Sequence, residues 1–173
     1  MHGETRSRPG ISLVIPVYNE RDNLALLHSE LAGVMGSVGD ACEILFVDDG
    51  STDGSDRVLR DLRASDPRVR VLTLARNSGQ SAAMDAGFKS AAGEVVVTLD
   101  ADLQNDPADI PRLLEALSGW DAVVGVRRKR RDNLVRRVSS RVANYVRNRL
   151  SDETITDTGC SLKAFRRDSL SRI

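Results

Sequence analysis

Apolar residues in this chain fall into short unbroken runs, each followed by a stretch in which they recur every three or four positions. Ile11-Ser-Leu-Val-Ile-Pro16 is the first run and reads as a strand. Asp22 or Asn23 then caps a helix to about Met35, with Leu24, Leu27, Leu31 and Val34 on one face and Gly36 and Gly39 as its stop. Glu43–Val47 is a second strand, followed by a helix over 55–65. Val69–Leu74 is a third, and an Ala-rich helix over 80–92 follows. Glu94–Leu99 is a fourth, with a helix that opens between Pro107 and Pro111 and runs to about Ser118. Ala122–Val126 is a fifth. Residues 132–150 read as a basic amphipathic helix striped by Leu134, Val138, Val142 and Tyr145. From Asp157 a Thr158-Gly159 turn leads into a mixed segment, and residues 1–10 are expected as a flexible N-terminus.

Strand and helix thus alternate five times. The strands are continuous apolar runs, as expected when both sheet faces are covered. The pattern predicts one α/β domain over 11–173, doubly wound and Rossmann-like, with a largely parallel sheet and helices on both faces. Ligands on such sheets bind beyond the carboxyl ends of the strands. Four of those ends carry polar clusters: Pro16–Glu20, Asp48–Ser51, Arg76–Gly79 and Asp100–Gln104. No G-x-G-x-x-G or P-loop pattern occurs, which argues against a dinucleotide fold and a P-loop NTPase.

The fourth end is the sharpest. An apolar run stops at Asp100, with Asp102 and Gln104 at alternate positions after it. In an extended chain all three side chains point one way. Three hard oxygen ligands suit Mg²⁺ or Mn²⁺ bridging to substrate phosphates, and two adjacent carboxylates without a cation would repel each other. The plain alternative is an acidic, solvated turn.

Composition narrows the class. A chain of 173 residues can bury one full core, and with only 3% aromatics that core must be aliphatic. Cys42 and Cys160 match no metal or redox spacing and fit a reducing compartment. The first ten residues lack an apolar signal region, and no apolar run reaches bilayer-spanning length. The net charge of zero is divided: Arg127–Arg149 holds ten Arg/Lys against one Asp, a local +9, and the rest of the chain carries −9. That segment points to an anionic partner. With Tyr145 its only aromatic, it argues against nucleic-acid base stacking.

Five motifs stand in register: Pro16-Val-Tyr-Asn-Glu20, Val47-Asp-Asp-Gly-Ser-Thr-Asp53, Asn77-Ser-Gly79, Asp100-Ala-Asp102-Leu-Gln104 and Asp157-Thr-Gly-Cys-Ser-Leu-Lys-Ala-Phe-Arg-Arg167. Together, over about residues 11–170, they resemble family 2 glycosyltransferases, in particular the dolichol-phosphate mannose synthase-like, polyprenyl-phosphate branch. The resemblance implies a GT-A-type fold. It also implies inverting, Mg²⁺- or Mn²⁺-dependent transfer of a sugar from a UDP- or GDP-sugar to a polyprenyl (dolichyl or undecaprenyl) phosphate. By the same resemblance Pro16, Tyr18, Glu20, Asp49, Asn77, Gly79 and Asp100 bind the nucleotide-sugar, with Tyr18 stacking on the base and Asp49 accepting a base N–H. Asp102 and Gln104 hold the cation, Asp100 contacts the donor or assists the metal, and Asp157 completes the catalytic group with Asp100 and Asp102. Arg127, Arg136 and Ser140 hold the acceptor phosphate, with Arg137 and Ser139 as register alternatives.

The other basic residues are expected to face anionic lipid headgroups, at roughly 1 kcal/mol each, and a solvated loop is the plain alternative for the Arg127–Arg131 run. The expected location is the cytoplasmic membrane face, peripherally bound, and an oligomer is compatible with it. Members of this branch continue beyond a point corresponding to Ile173, so the chain reads as truncated relative to them. Simpler roles stand beside several of these. Pro16 can end a strand, Tyr18 can pack half-buried, Asp48 or Ser51 can cap the next helix, Asn77 or Ser78 the one after, and Asp157 can form a turn. His28 reads as a surface or packing residue. Two rival functions remain: a GT-A transferase with a non-lipid acceptor, which leaves Arg136 and Ser140 idle, or an inactive nucleotide- or anion-binding module.

Overall fold

Six strands form one sheet in the order β3-β2-β1-β4-β6-β5 in the computed structural model, which describes residues 9–38, 41–126 and 160–170. The elements are β1 (Ile11–Val17), α1 (Arg21–Val38), β2 (Cys42–Asp48), α2 (Ser55–Ser65), β3 (Val69–Thr73), α3 (Gln80–Ser90) and β4 (Val95–Thr98). A 3₁₀ turn at Pro107–Asp109 leads into α4 (Ile110–Ala116). Then come β5 (Ala122–Val124), β6 (Lys163–Arg166) and the single turn α5 (Arg167–Leu170). β3, β2, β1 and β4 run parallel. β6 pairs antiparallel with both β4 and β5.

Strand alternation sorts the core into two layers. Leu13, Ile15 and Val17 of β1, with Ile44 and Phe46 of β2, face α1, α2 and α4 and meet Leu24, Leu27, Leu31, Leu59 and Ile110. Val14, Leu45, Val47 and Val96 face the other way and pack on Ala83 of α3. α3 lies close on the sheet because Gly87 faces Val14, whose side chain a Cβ at that position would strike. A buried polar staple holds the far end of this layer. Ser12 Oγ and the Ala92 N–H donate to Glu43, and Arg70 binds its other oxygen. Burial pushes the Glu43 carboxyl up, but the bonds from Ser12, Ala92 and Arg70 outweigh it and leave the group below its ordinary value.

Several expected boundaries shift for physical reasons. β1 runs through Pro16 to Val17, so Pro16 does not end it. Pairing with β4 stops at Val14, so the missing Pro16 N–H falls where β1 has β2 alone beside it. α1 begins at Arg21, which puts Asp22 and Asn23 inside the first turn; the flanking residue is Glu20, whose carbonyl accepts from the Asn23 N–H. The helix continues past Gly36 because Met35 and Val38 pack on the core, and that packing overrides glycine's low propensity. The strand β6, read only as a mixed segment, is inserted between β4 and β5. His28 lies half-buried with Nε2 3.0 Å from Asp66 Oδ2.

Candidate functional site at the carboxyl edge of the sheet

The chain steps outward from β1 to β2 and β3, then crosses back to lay β4 on the other side of β1. That reversal opens a crevice at the carboxyl ends of the strands. A cavity of about 320 Å³ fills it, lined by Pro16, Tyr18, Glu20, Asp49, Asn77, Gly79, Gln80, Asp100 and Asp102, with Val17, Ala83 and Ala101 between them. Eight residues singled out from the sequence therefore share one cavity: Pro16, Tyr18, Glu20, Asn77, Gly79 and the aspartates 49, 100 and 102. Tyr18 is 46% exposed, so its ring is not packed away and is open to a ligand.

Backbone-to-side-chain bonds stitch the loops of this edge together. Asn19, in the left-handed region at φ 57°, donates its N–H to Ser51 Oγ, and its Oδ1 accepts the Thr52 N–H at 2.8 Å. The Glu20 N–H donates to Ser55 Oγ and the Arg21 N–H to Asp53 Oδ2. Desolvation pushes the Asp53 carboxyl up, but bonds from Ser55 and the Arg21 N–H more than offset it and leave it below its ordinary value. Neither Asp48 nor Ser51 caps α2, whose flanking residue is Gly54 with no side-chain cap; Asp48 Oδ1 accepts the Ser51 N–H instead.

Asp49 is a clamp. Its Oδ1 accepts the Ser78 N–H at 2.7 Å and its Oδ2 the Gly79 N–H at 2.8 Å. The exit of β3 is thereby held against the exit of β2, and α3 starts from a fixed point without a side-chain cap. Two of about four acceptor positions on the carboxylate remain. Gly50 makes the approach possible. Its φ is +71°, and a Cβ there would stand 2.8 Å from Arg76 C and Asn77 N.

Past β4 the backbone does not stay extended. Ala101 and Leu103 are drawn into the main core, while Asp100 and Asp102 line the cavity. Leu103 reaches its packing position at φ 59°, a left-handed turn that breaks the alternation. Gln104 consequently leaves the cavity: it is exposed, it is not among the lining residues, and its N–H donates to Asp102 Oδ1 at 3.1 Å. Of the three side chains expected to converge, Asp100 and Asp102 line the cavity and Gln104 does not. Two carboxylates on a cavity wall still fit Mg²⁺ or Mn²⁺, which take one or two protein carboxylates and complete their shell with water and substrate phosphates. Among the described residues no three His, Cys, Asp or Glu side chains gather into an all-protein metal cage.

A larger hollow of about 930 Å³ lies beside the first, between α3 and the β4–β6 pair. Met84, Phe88, Leu99, Phe165 and Leu170 give it apolar walls, and Lys163 and Arg167 bring positive charge. Gln80 and Asp100 line both spaces and form the partition, with Gln80 Nε2 donating to Asp100 Oδ1 at 2.8 Å. Gln80 and Lys163 were not among the residues expected from the sequence. The sole signal for Gln80 was its place directly after the Asn77-Ser-Gly79 motif.

The Glycosyl transferase family 2 sequence profile matches residues 12–173. The chain belongs to this family. It is 44% identical over 164 residues to the undecaprenyl-phosphate 4-deoxy-4-formamido-L-arabinose transferase of Pectobacterium carotovorum, covering 93% of this chain and 50% of that protein. It is 46% identical over 159 residues to the protein of the same name in Pseudomonas fluorescens, covering 91% and 47%. The family 2 chain therefore spans about half the length of these relatives. Among solved structures, it shares its fold with mannosyltransferase PcManGT of Pyrobaculum calidifontis in complex with GDP-Man and Mn²⁺ (TM-score 0.65, 22% identity, 96% of this chain and 47% of that one). It also shares it with glucosyl-3-phosphoglycerate synthase of Mycobacterium tuberculosis in complex with Mg²⁺ and UDP (TM-score 0.73, 21% identity, 94% and 58%). The fold is the GT-A variant of the Rossmann-like class.

Arg127, Arg136 and Ser140, their alternatives Arg137 and Ser139, the basic segment 132–150 and Asp157 lie outside the described residues. The described chain leaves and re-enters at the carboxyl edge of β4. β5 runs alongside β4 in direction, so Val126 follows its carboxyl end; β6 is antiparallel and starts beside Thr98, so Cys160 and Ser161 lie there too. Thr98 Oγ1 donates to the Ser161 carbonyl at 2.7 Å and Asn105 Nδ2 to Ser161 Oγ at 2.6 Å. Among the described residues no helix is long and apolar enough to cross a membrane.

Proposed function

We propose that this family 2 domain transfers a sugar from a nucleoside-diphosphate sugar, uridine or guanosine, to a polyprenyl phosphate at the cytoplasmic membrane face, with inversion at the anomeric carbon. One observation carries the donor half: Tyr18, Asp49, Asp100 and Asp102, from three separate strand ends, line one cavity at the switch point of the sheet. An exposed ring, a hydrogen-bond-accepting carboxylate and two metal-grade carboxylates are what a base, a base N–H and a magnesium-bound diphosphate require. The names of the relatives support the acceptor half.

In this reading Tyr18 supplies a stacking surface and Asp49 a lone pair for the base, while its other bonds keep the Ser78–Gly79 backbone in place. Asp102, with Asp100 beside it, would hold Mg²⁺ or Mn²⁺, which offsets the charge developing on the leaving nucleoside diphosphate. The acceptor phosphate oxygen attacks the anomeric carbon as the bond to the diphosphate breaks. Because that phosphate is already ionised at neutral pH, the site need not contain a general base. Arg127, Arg136 and Ser140 are proposed to hold it, since the guanidinium fork matches phosphate oxygens. The remaining basic residues are proposed to meet anionic headgroups. The chain is proposed to act as one catalytic domain over 11–173.

The test is transfer of radiolabelled sugar from UDP- and GDP-sugars, 4-formamido-arabinose included, to undecaprenyl phosphate and, in parallel, to 3-phosphoglycerate. Mn²⁺-dependent product on the lipid alone is expected. Product on the soluble acceptor alone, or nucleotide binding indifferent to Mn²⁺, refutes the reading.

A further inference from the structure

Asp100 is the one residue of the carboxylate pair that lines both cavities. Among the described residues it takes one side-chain hydrogen bond, from Gln80 Nε2 to Oδ1 at 2.8 Å. Gln80 is the first residue of α3 and directly follows Ser78 and Gly79, the two amides that Asp49 clamps. A hydrogen-bonded path therefore runs from the exit of β2, through the start of α3, to the exit of β4.

We propose that Gln80 is a positioning residue for Asp100. Its amide fixes Oδ1 from the side and leaves Oδ2 to face the nucleotide-sugar and its cation; this rests on the transfer reading above. The choice of side chain carries chemical meaning. A carboxamide is a neutral donor, so it orients Asp100 without cancelling the charge that attracts a cation. A lysine in its place would pair with the carboxylate and neutralise it, and a glutamate would repel it. Gln80 is exposed and Asp100 half-buried, so replacing Gln80 opens no hole in the core. The effect of substitution is expected in ligand binding and turnover and not in folding.

The experiment compares the purified protein with Gln80→Ala, Gln80→Lys and Asp100→Asn. Isothermal titration with UDP and GDP, with and without Mn²⁺, is read beside melting temperature and the split between kcat and KM. Gln80→Ala should melt like wild type and lose about 10- to 100-fold in Mn²⁺-dependent nucleotide affinity, the usual effect of removing an outer-shell partner. Its Mn²⁺-free affinity should be unchanged. Gln80→Lys should lose more than Gln80→Ala, and in turnover kcat should fall while KM for the acceptor holds. If wild type binds with Mn²⁺ and Asp100→Asn does not, yet Gln80→Ala is indistinguishable from wild type, the positioning role is refuted alone. If wild type shows no Mn²⁺-dependent binding, the transfer reading falls and takes this inference with it.

Discussion

Replacing Asp49 by asparagine isolates the clamp that orders the nucleotide edge. The two side chains have the same shape, but asparagine offers one oxygen where the carboxylate offers two. Either the Ser78 or the Gly79 N–H must then face an NH₂ group. Gly79 has a fallback, since its N–H also lies 3.2 Å from Asn77 Oδ1; Ser78 has none among its hydrogen bonds. A hydrogen bond to a charged acceptor contributes about 1.5–3 kcal/mol. Both donors sit on exposed residues, so a released N–H can turn to water and little is added for a stranded group. The expected loss is thus about 1.5–3 kcal/mol. At about 2–4 °C per kcal/mol for a chain of this size, the melting temperature falls by about 3–12 °C.

The decisive condition is the absence of nucleotide. If Asp49 served only to accept a base N–H, Asp49→Asn would melt like wild type when no ligand is present and differ only in the shift produced by UDP or GDP. The clamp predicts a lower melting temperature before any ligand is added. It also predicts that amide exchange at Ser78 quickens by local opening, beyond the uniform acceleration that lower global stability gives the β1 and β2 amides. Unchanged melting together with unchanged Ser78 exchange would refute the structural argument, whatever happened to nucleotide affinity.

Gly50→Ala should destabilise by about 2–4 kcal/mol, since it adds left-handed strain to a 2.8 Å collision with the Arg76–Asn77 backbone; urea unfolding measures it. Asp102→Asn should leave the melting temperature near that of wild type and remove most Mn²⁺-dependent nucleotide affinity, read by titration calorimetry. Asp66 supplies one acid-sensitive contribution, beside those of Glu43 and Asp53. Hydrogen bonds from Arg68, and behind them the Arg68 N–H and His28, hold its carboxyl far below the ordinary 3.8. A depressed acid stabilises fully above its unfolded value and loses that contribution as pH falls towards its folded value. The gap in urea midpoint between wild type and Asp66→Asn should therefore be full at neutral pH and begin to close below 3.8. A gap that stays constant down to about pH 2.5 would contradict the assignment.

The parallel half of the fold was legible because β1, β2 and β4 are buried on both faces and so appear as nearly continuous apolar runs, while the edge strand β3 exposes Arg70 and Thr73 but keeps Val69, Val71 and Leu72. β6 was not. Lys163-Ala-Phe-Arg166 is four residues long with a cation at each end, and only its pairing with β4 and β5 makes it a strand. The cavity residues were legible for a related reason: each polar cluster directly follows an apolar run, and a parallel sheet gathers those ends at one edge. The alternation expected through Gln104 assumes an extended chain, and Leu103 abandons extension to keep its side chain in the core. Gln80 was hidden because its meaning depends on Asp100, twenty residues on, and no local pattern joins them.

The antiparallel insertion of β6 decides what the site can reach. A further parallel strand beside β4 would begin at the amino edge, and residues ahead of it would arrive on the wrong side of the sheet. Because β6 is reversed, its first residue pairs with Thr98, and Ser161 is bonded both to Thr98 and to Asn105 of the loop that follows Asp102. The carboxylate loop and the returning chain are thus one hydrogen-bonded unit. Asn105, at 8% exposure, is its hinge pin, since Cys160 Sγ also lies 3.7 Å from its Oδ1. Removing that amide leaves the half-buried Ser161 hydroxyl without this partner and unties the loop from the returning chain. Asn105→Ala should therefore weaken Mn²⁺-dependent nucleotide binding without touching any ligand, and Asn105→Asp, which keeps the acceptor facing Cys160 and lets Ser161 become the donor, should recover part of it. Equal binding by Asn105→Ala and wild type would show that the two segments hold their places independently.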